Sequence, residues 1–259
     1  MRIRYMPADP AGNLTGLVLT PVAREAHPAV AAQLMARCPE GFEQIAFIDE
    51  DSLTGPLPRM EMMGGEFCGN ASRAFGWYAA QRRGLGETAL CVSVSGAAEP
   101  VRVQLDLARG CAYADMPLPH ACLRIEAAGR AVDVVRMEGI DHAVVTDGEP
   151  SDALARAVLA AMPPAPAQGV LFVSGQRMTP FVHVPATGTG VWESSCGSGS
   201  VALAWLLCRG RDDGLHAFAF DEPGGRIEVR AQVAGGRVVR AMMGGSVRIG
   251  GERTVDIPD

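Results

Sequence analysis

The chain of 259 residues is 48% hydrophobic and 20% charged, which is the balance of an ordinary globular protein with enough apolar material for a core. Its formal charge is −6 and it contains no basic run, so nucleic acids and anionic membrane surfaces are poor partners. No apolar stretch approaches the ~18–20 residues of a membrane span, and the first residues resemble a strand rather than a signal peptide. The seven cysteines include no close-spaced pair, which predicts a reducing, cytoplasmic setting.

All 23 basic residues other than histidine are arginines, and lysine is absent from the sequence. Enzymes that carry pyridoxal phosphate need a lysine for the Schiff base, and a P-loop needs one for its phosphates, so both classes are excluded. The five histidines are scattered, and no Cys-x-x-Cys or His-x-x-x-His pair is present. We therefore predict neither a metal site nor a bound cofactor.

Hydrophobic alternation and helical spacing predict the elements of the first half in chain order. Strands are expected at 3–6 and 14–19, and a helix at 29–38 begins after Pro28. Further strands are predicted at 44–48, 60–63, 92–95 and 101–105. Between them lies a helix at 69–82 that is apolar almost all round, which is typical of a helix at the centre of a domain.

The second half repeats this order about 124–128 residues later. The predicted elements are strands at 142–145, 169–173, 181–184 and 226–233, and helices at 151–162 and 197–209, the first of them capped by Ser151. This offset predicts two duplicated domains, 1–117 and 118–245, with the boundary at the proline-containing segment 117–119.

One short motif occurs in both halves. Cys68-Gly69-Asn70 and Cys196-Gly197-Ser198 each follow a predicted strand and begin a predicted helix, where the helix dipole favours a thiolate. The N–H groups after each cysteine are suited to an amino-acid carboxylate. One thiolate would remove the α-proton and the opposite thiol would return one to the other face. We therefore predict cofactor-free racemisation, with Cys68 and Cys196 as the two bases.

Several other residues are either candidates for the same site or are interpreted as structural. The remaining cysteines are interpreted as inert small hydrophobic residues; they are Cys38, Cys91, Cys111, Cys122 and Cys208. In the register of the duplication Asn13 matches the neighbourhood of Asp141-His142, which predicts that both lie beside the site. Glu66 and Glu193, just before each cysteine, are candidates to hold the substrate ammonium or to tune the thiols, or are simple caps.

These motifs resemble the diaminopimelate epimerase-like family of cofactor-independent two-cysteine racemases. The resemblance covers the whole chain: Gly12-Asn13, Cys68 to Asn70, Gly139 to His142, and Cys196 to Gly199. It implies an α/β (α+β) fold of two pseudo-symmetric domains, each a mixed, barrel-like β-sheet around a central helix, with the active site in the cleft between them. It also implies that a C-terminal strand at 246–259 returns to the first domain, and that the protein is a homodimer.

By resemblance, substrate is bound by Asn13, Gly69, Asn70, Gly197 and Ser198. Glu43, His142 and Glu193 are further candidate substrate-binding residues. His142 is expected in the wall of the site rather than as a base. The Glu-Arg pair with which epimerases bind the distal carboxylate is replaced by Thr187 and Gly188, which disfavours diaminopimelate because a buried carboxylate would lack a cationic partner.

The segments around Asn13, Glu43 and both cysteines are similar to histidine racemases that supply D-histidine to opine-type metallophores. Glu43 would accept a hydrogen bond from the imidazole, although a solvated strand-end carboxylate is an equal alternative. Diaminopimelate epimerase, a racemase of another amino acid and an inactive amino-acid-binding domain are the other possibilities. Proline racemase-like enzymes are disfavoured because their usual Cys-Gly-His is Cys-Gly-Asn here.

Overall fold

The computed structural model describes residues 1–84, 86 and 89–258. Its strands are β1 (Arg2–Asp9), β2 (Thr15–Val18), β3 (Gln44–Asp49), β4 (Arg59–Met62), β5 (Ala89–Val94), β6 (Val101–Asp106), β7 (Cys111–Met116), β8 (Ala121–Ala127), β9 (Arg130–Arg136), β10 (Ile140–Val145), β11 (Ala167–Ser174), β12 (Arg177–Val184), β13 (Thr189–Trp192), β14 (Gly214–Glu222), β15 (Gly225–Ala234), β16 (Arg237–Ser246), β17 (Arg248–Ile249) and β18 (Arg253–Asp256). The α-helices are α1 (His27–Arg37), α2 (Gly69–Arg83), α3 (Asp152–Ala161) and α4 (Gly197–Leu207). Two short 3-10 helices lie at Arg24–Ala26 and Glu50–Thr54.

The chain divides into two compact units. Unit 1 comprises Met1–Asp115 together with Gly244–Asp259, and unit 2 comprises Met116–Met243. The boundaries expected from the sequence, after residues 117 and 245, each lie two residues further along the chain. The last residue of the predicted returning segment, Asp259, lies outside the described residues.

In unit 1 the strands pair in a mixed order. β1 is antiparallel to β2, β2 is parallel to β3, β3 is antiparallel to β4, and β4 is parallel to β5. β5, β6 and β7 then continue as antiparallel neighbours. β17 and β18 run antiparallel to β1, so the C-terminal segment supplies strand partners to the N-terminal strand.

Unit 2 repeats this order of pairings. β9 is antiparallel to β10, β10 is parallel to β11, β11 is antiparallel to β12, and β12 is parallel to β14, which is antiparallel to β15. β8 lies antiparallel to β9, as β18 does to β1. The two units are therefore duplicates in strand direction as well as in element order.

In unit 1 the strands are covered on both faces because their alternate residues enter two different cores. Ile45 and Phe47 of β3 pack with Val30 and Leu34 of α1, whereas the intervening side chains of β3 pack around α2. Helix α2 is buried along nearly its whole length, and its core partners come from strands β2 to β7. The prediction of a central apolar helix is thus confirmed.

In unit 2, α3 covers one side of the sheet and α4 carries the second buried face. Ser151 caps α3 as predicted, since its Oγ accepts a hydrogen bond from the N–H of Leu154 at 3.3 Å. Ala155 and Val158 of α3 pack on strands β9 to β11. Helix α4 buries its residues 199–204 and packs against β9, β10 and β15.

The strand predicted at 181–184 is the end of β12, but a further strand before the second cysteine was not predicted. This strand, β13, lies antiparallel to β12, and all four of its residues are exposed. In the part of the chain that is described, no helix combines the length and the hydropathy that crossing a membrane would need.

Candidate active site

The first half-site is built at the start of α2. Cys68 is the N-cap residue, with an extended backbone (φ −133°), and the N–H of Ala71 donates to its sulfur at 3.4 Å. The Cys68 thiol in turn donates to the Oε1 of Gln44 at 3.1 Å. The predicted strand–thiol–helix arrangement is therefore present, and β3 holds a second polar group against the sulfur.

Gln44 connects Cys68 to the N-terminal loop. Its Nε2 donates to the Oδ1 of Asn13 and to the Oγ1 of Thr15, the latter at 2.8 Å. The Nδ2 of Asn13 donates to Glu43 at 2.8 Å. Asn13 and Gln44 are buried, and Glu43 is half-buried. Sequence reasoning selected Asn13 and Glu43 but missed Gln44, although Gln44 directly follows Glu43 and begins the predicted strand.

A buried guanidinium lies below this half-site. Arg73, five residues past Cys68 and fully buried, donates to the Oδ1 of Asn70 and to the carbonyl oxygens of Pro10, Gly245 and Ser246 at 2.6–3.2 Å. It therefore joins the loop before β2, the start of α2 and the C-terminal segment within unit 1. Burial lowers the pKa of Arg73 to about 10, so the guanidinium stays charged at neutral pH.

The second half-site is built at the start of α4 and is capped differently. Cys196 is again the N-cap residue, but its sulfur does not cap the helix. Instead Glu222, at the end of β14, accepts hydrogen bonds from the N–H of Cys196 and from the Oγ of Ser200, both at 2.5 Å. The negative charge of Glu193 raises the pKa of the Cys196 thiol. Glu222 lies 26 residues from Cys196, and no local sequence pattern links the two.

His142 and Ser198 lie beside Cys196 in unit 2. The Nε2 of His142 is 2.9 Å from the Oγ of Ser198, and that oxygen is 3.6 Å from the Cys196 sulfur. His142 is fully buried on β10, where its ring lies against Gly169, its neighbour on β11. A Cβ at Gly169 would collide with the Nδ1 of His142, so this position admits the ring because it is glycine.

Both thiols differ from expectation in their acidity. Burial raises the pKa of Cys68 to about 11, although the N–H of Ala71 acts in the opposite direction. Burial also raises the pKa of Cys196 well above its usual range, and Glu193 and Glu222 add to this through their negative charges. The expectation that the helix start leaves these resting thiols acidic was wrong, because desolvation outweighs the helix N–H groups.

Other predicted residues take more ordinary positions. Glu66 is exposed, and its carboxylate accepts the N–H of Gly64 at 2.9 Å. Thr187 and Gly188 lie in the exposed segment between β12 and β13. Asp141 is buried and pairs with Arg136 at 3.0 Å. Among the residues that the structure describes, no three His, Cys, Asp or Glu side chains are grouped so as to hold a metal ion.

Comparison with known proteins gives matches over nearly the whole chain. The family model described as the histidine racemase CntK N-terminal domain matches residues 2–255. The histidine racemase of Staphylococcus aureus is 25% identical over 246 residues, which cover 89% of each chain. The histidine racemase of Fusobacterium nucleatum subsp. nucleatum is 28% identical over 226 residues, which cover 80% of this chain and 82% of the relative.

Solved structures share the fold at lower identity. A phenazine biosynthesis protein of the PhzF family from Bacillus anthracis superposes with a TM-score of 0.67 at 15% identity, over 99% of this chain and 100% of that one. A probable proline racemase from Agrobacterium radiobacter gives a TM-score of 0.65 at 15% identity, over 99% and 93%. These likenesses confirm the predicted α/β fold class.

Proposed function

Because this chain belongs to the histidine racemase family whose model matches residues 2–255, we propose that it interconverts L- and D-histidine without a cofactor. It is an isomerase of the amino-acid racemase class, and its histidine racemase relatives share 25–28% of their residues with it. The observation that carries the proposal is the placement of Cys68 and Cys196, each at the N-terminus of a buried helix in its own duplicated unit.

The proposed reaction uses two bases. The thiolate of one cysteine takes the α-proton, so that a C–H bond breaks, an S–H bond forms, and the electron pair is left on the α-carbon and carboxylate. The thiol of the other cysteine then gives its proton to the opposite face. Each turnover inverts the centre and exchanges the protonation states of Cys68 and Cys196. The raised pKa of both thiols supports this role, because a strongly basic thiolate is needed to remove such a weakly acidic proton.

The substrate carboxylate is assigned to the helix starts. Gly69 and Asn70 begin α2, and Gly197 and Ser198 begin α4, where the first-turn N–H groups and the positive end of the helix dipole favour an anion. Negative charge that develops on the carboxylate during proton removal would be stabilised by the same groups.

The imidazole of the substrate is assigned to Glu43, which the amide of Asn13 holds by a hydrogen bond at 2.8 Å. Glu193, whose negative charge raises the pKa of the Cys196 thiol, is the candidate to receive the substrate ammonium. The positions that would carry a glutamate and an arginine for a distal carboxylate are Thr187 and Gly188, in an exposed turn. A substrate with one carboxylate is therefore preferred over diaminopimelate.

The cellular setting is part of the same proposal. All seven cysteines are free thiols, which supports a reducing cytoplasm. D-histidine made there would supply the assembly of an opine-type metallophore, as the sequence resemblance implies. The resemblance also leads us to propose that the protein acts as a homodimer.

The test is α-proton exchange in deuterated buffer, followed by NMR, with L-histidine and diaminopimelate as separate substrates. We expect exchange and loss of optical rotation with L-histidine. Replacing Cys68 or Cys196 by Ser should lower racemisation by at least 10³-fold, since a hydroxyl is a far weaker acid than a thiol. The Cys91→Ser variant is the matched control, because Cys91 is exposed on β5 and should tolerate the change.

Two results would contradict the proposal. If diaminopimelate exchanges and histidine does not, the substrate is wrong and the epimerase alternative is favoured. Full racemisation by either single serine variant would instead rule out the two-base reaction.

A further inference from the structure

We propose that His142 and Ser198 form a one-way hydrogen-bond chain to Cys196, in which the Nε2–H of His142 donates to Ser198 and the Ser198 hydroxyl donates to the sulfur. The inference rests on the proposed function for the role of Cys196 as a base. It gives the side chains of His142 and Ser198 a task other than contacting substrate, while the Ser198 N–H keeps its place at the helix start assigned to the carboxylate. The two side chains set how readily the Cys196 thiolate forms, with Ser198 touching the sulfur and His142 acting as a positioning residue.

The geometry of the chain lies entirely within unit 2. Ser198 is the second residue of α4, two positions past Cys196, and its Oγ is 3.6 Å from the sulfur. This separation suits a hydrogen bond to sulfur, whose radius is larger than that of oxygen. The same Oγ is 2.9 Å from the Nε2 of His142 on β10. Ser198 is therefore the link between the imidazole and the thiol.

The direction of the chain follows from the other ring nitrogen. The Nδ1 of His142 is buried and has no hydrogen-bond partner among the described atoms, because it faces the bare Cα of Gly169. A buried N–H without an acceptor is rarer and costlier than an unused lone pair. The proton of the neutral ring is thus on Nε2, where the Ser198 oxygen accepts it. The hydroxyl proton of Ser198 is then free to point at the sulfur.

His142 keeps this role over the whole working range of pH. Burial lowers the pKa of His142 to about 3, so the ring is neutral. Its neighbours across the sheet are Val135 on β9 and Gly169 on β11, neither of which is charged. Because the ring stays neutral, its Nε2–H remains a hydrogen-bond donor to Ser198. The direction of the hydrogen-bond chain therefore does not change with pH.

The hydrogen-bond chain matters at Cys196 because other groups near this sulfur destabilise its thiolate. Glu193 and Glu222 both raise the pKa of this thiol, in addition to burial. The N–H of Gly199 acts in the opposite direction. A hydroxyl donor fixed by His142 adds a second group that stabilises the thiolate without placing a positive charge in the site.

The test is the pH dependence of iodoacetamide alkylation of the free enzyme, read cysteine by cysteine through peptide mass spectrometry. Alkylation follows the thiolate fraction, so it reports the apparent pKa of Cys196 without requiring turnover. In Ser198→Ala this pKa should rise by about one unit, which makes alkylation at fixed pH roughly tenfold slower. Ser198→Thr keeps the hydroxyl and should restore the wild-type profile.

His142→Phe should raise the apparent pKa in the same direction but by less, because Ser198 keeps its hydroxyl while losing the group that orients it. Exposed Cys91 provides the internal control in every sample, since its profile should not move. Circular dichroism of each variant establishes that it is folded.

The outcome is independent of whether histidine is the substrate. If Ser198→Ala raises the histidine KM while the Cys196 profile of the free enzyme stays unchanged, Ser198 is a substrate contact and the chain is wrong. The proposal is also overturned if the apparent pKa of Cys196 shifts in Ser198→Ala but not in His142→Phe, since the imidazole would then have no effect on the thiol. If the shifts occur but histidine is not racemised, the chain stands and the proposed substrate fails.

Discussion

In the proposed function, Glu43 is the side chain to which the choice of substrate is assigned. It lies between the N-terminal loop and β3, half-buried, and the amide of Asn13 engages its Oε2 at 2.8 Å. Asn13 is itself held by Gln44, which also accepts the Cys68 thiol. Hydrogen bonds through the side-chain amides of Asn13 and Gln44 therefore connect Glu43, which is proposed to bind the imidazole, to the sulfur of Cys68.

We expect Glu43→Gln to lower kcat/KM for histidine roughly 10- to 100-fold, because a hydrogen bond to a charged group contributes about 1.5–3 kcal/mol. Polarimetry with L- and D-histidine measures the change. Glu61→Gln is the matched control, since Glu61 forms an ion pair with Arg24 at 3.3 Å on β4 and has no part in the proposed site. Unchanged histidine kinetics in Glu43→Gln would remove the specificity argument.

Among individual residues, the sequence identified those that lie within the repeated motif. It did not identify those that contact the motif from distant positions in the chain. Both cysteines were identified because the motif repeats, and both are N-cap residues. Gln44, Arg73 and Glu222 were not identified, since their importance depends on contacts with residues distant in the chain. Spacing alone carries no information about such contacts.

Helix α2 is the element that positions Cys68, and it fits its surroundings closely. A Cβ at Gly76 would lie 2.7–2.8 Å from three atoms of the Val103 side chain on β6. Because valine is branched at Cβ and rigid at χ1, it cannot move aside easily. The glycine therefore permits the approach of helix and strand rather than providing flexibility.

We expect Gly76→Ala to reduce the free energy of unfolding by about 1–2 kcal/mol, since overpacking at ~1–3 kcal/mol exceeds the gain of ~1 kcal/mol or less in helix propensity. Urea unfolding measures the loss. In the double variant with Val103→Ala the two effects should be less than additive, because the smaller side chain makes room for the new methyl group. Strict additivity would show that the contact does not limit the packing.

Elements with a strong pattern were predicted within a few residues of their observed bounds. The predicted helix 69–82 is Gly69–Arg83, and the predicted helix 151–162 is Asp152–Ala161 capped by Ser151. β13 was missed because it has only four residues and all of them are exposed, so its sequence shows no alternation of buried and exposed positions. Its pairing with β12 depends on tertiary contacts, which the local sequence pattern does not indicate.

On the scale of the whole molecule, the duplication inferred from one motif extends to the order and direction of the strands. β2, β3 and β4 correspond to β10, β11 and β12, with a parallel and then an antiparallel pairing in each unit. The elements and their repeat were predictable from a constant offset. Strand direction was not, because periodicity does not distinguish parallel from antiparallel neighbours.

Acid pH should destabilise the protein through His142. Its pKa is about 3 when folded and near 6.5 when exposed, so between these values the unfolded chain binds one proton more. The contribution of His142 to the free energy of unfolding is fully present above pH ~6.5. It is lost as the pH falls toward 3, at up to about 1.4 kcal/mol per pH unit.

Urea unfolding of wild type and His142→Gln between pH 4 and 6.5 measures this contribution. The variant should lack that part of the slope, whatever its stability at neutral pH, because glutamine does not titrate. Parallel slopes for the two proteins would mean that His142 binds protons equally in the folded and unfolded states, so that folding does not lower its pKa.

Two strands of unit 1, β17 and β18, follow unit 2 in the chain and are therefore made after it. Translation delivers β1 before Met116–Met243, and it delivers β17 and β18, which pair with β1, only after that segment. At ~5–20 residues per second, a nascent chain carries β1 without these partners for roughly 10–50 seconds. Unit 2 is continuous and complete before then. We expect protease protection on stalled ribosomes to appear first in unit 2. The Cys68 half-site, which Arg73 ties to Gly245 and Ser246, should form only once those two residues have left the ribosome.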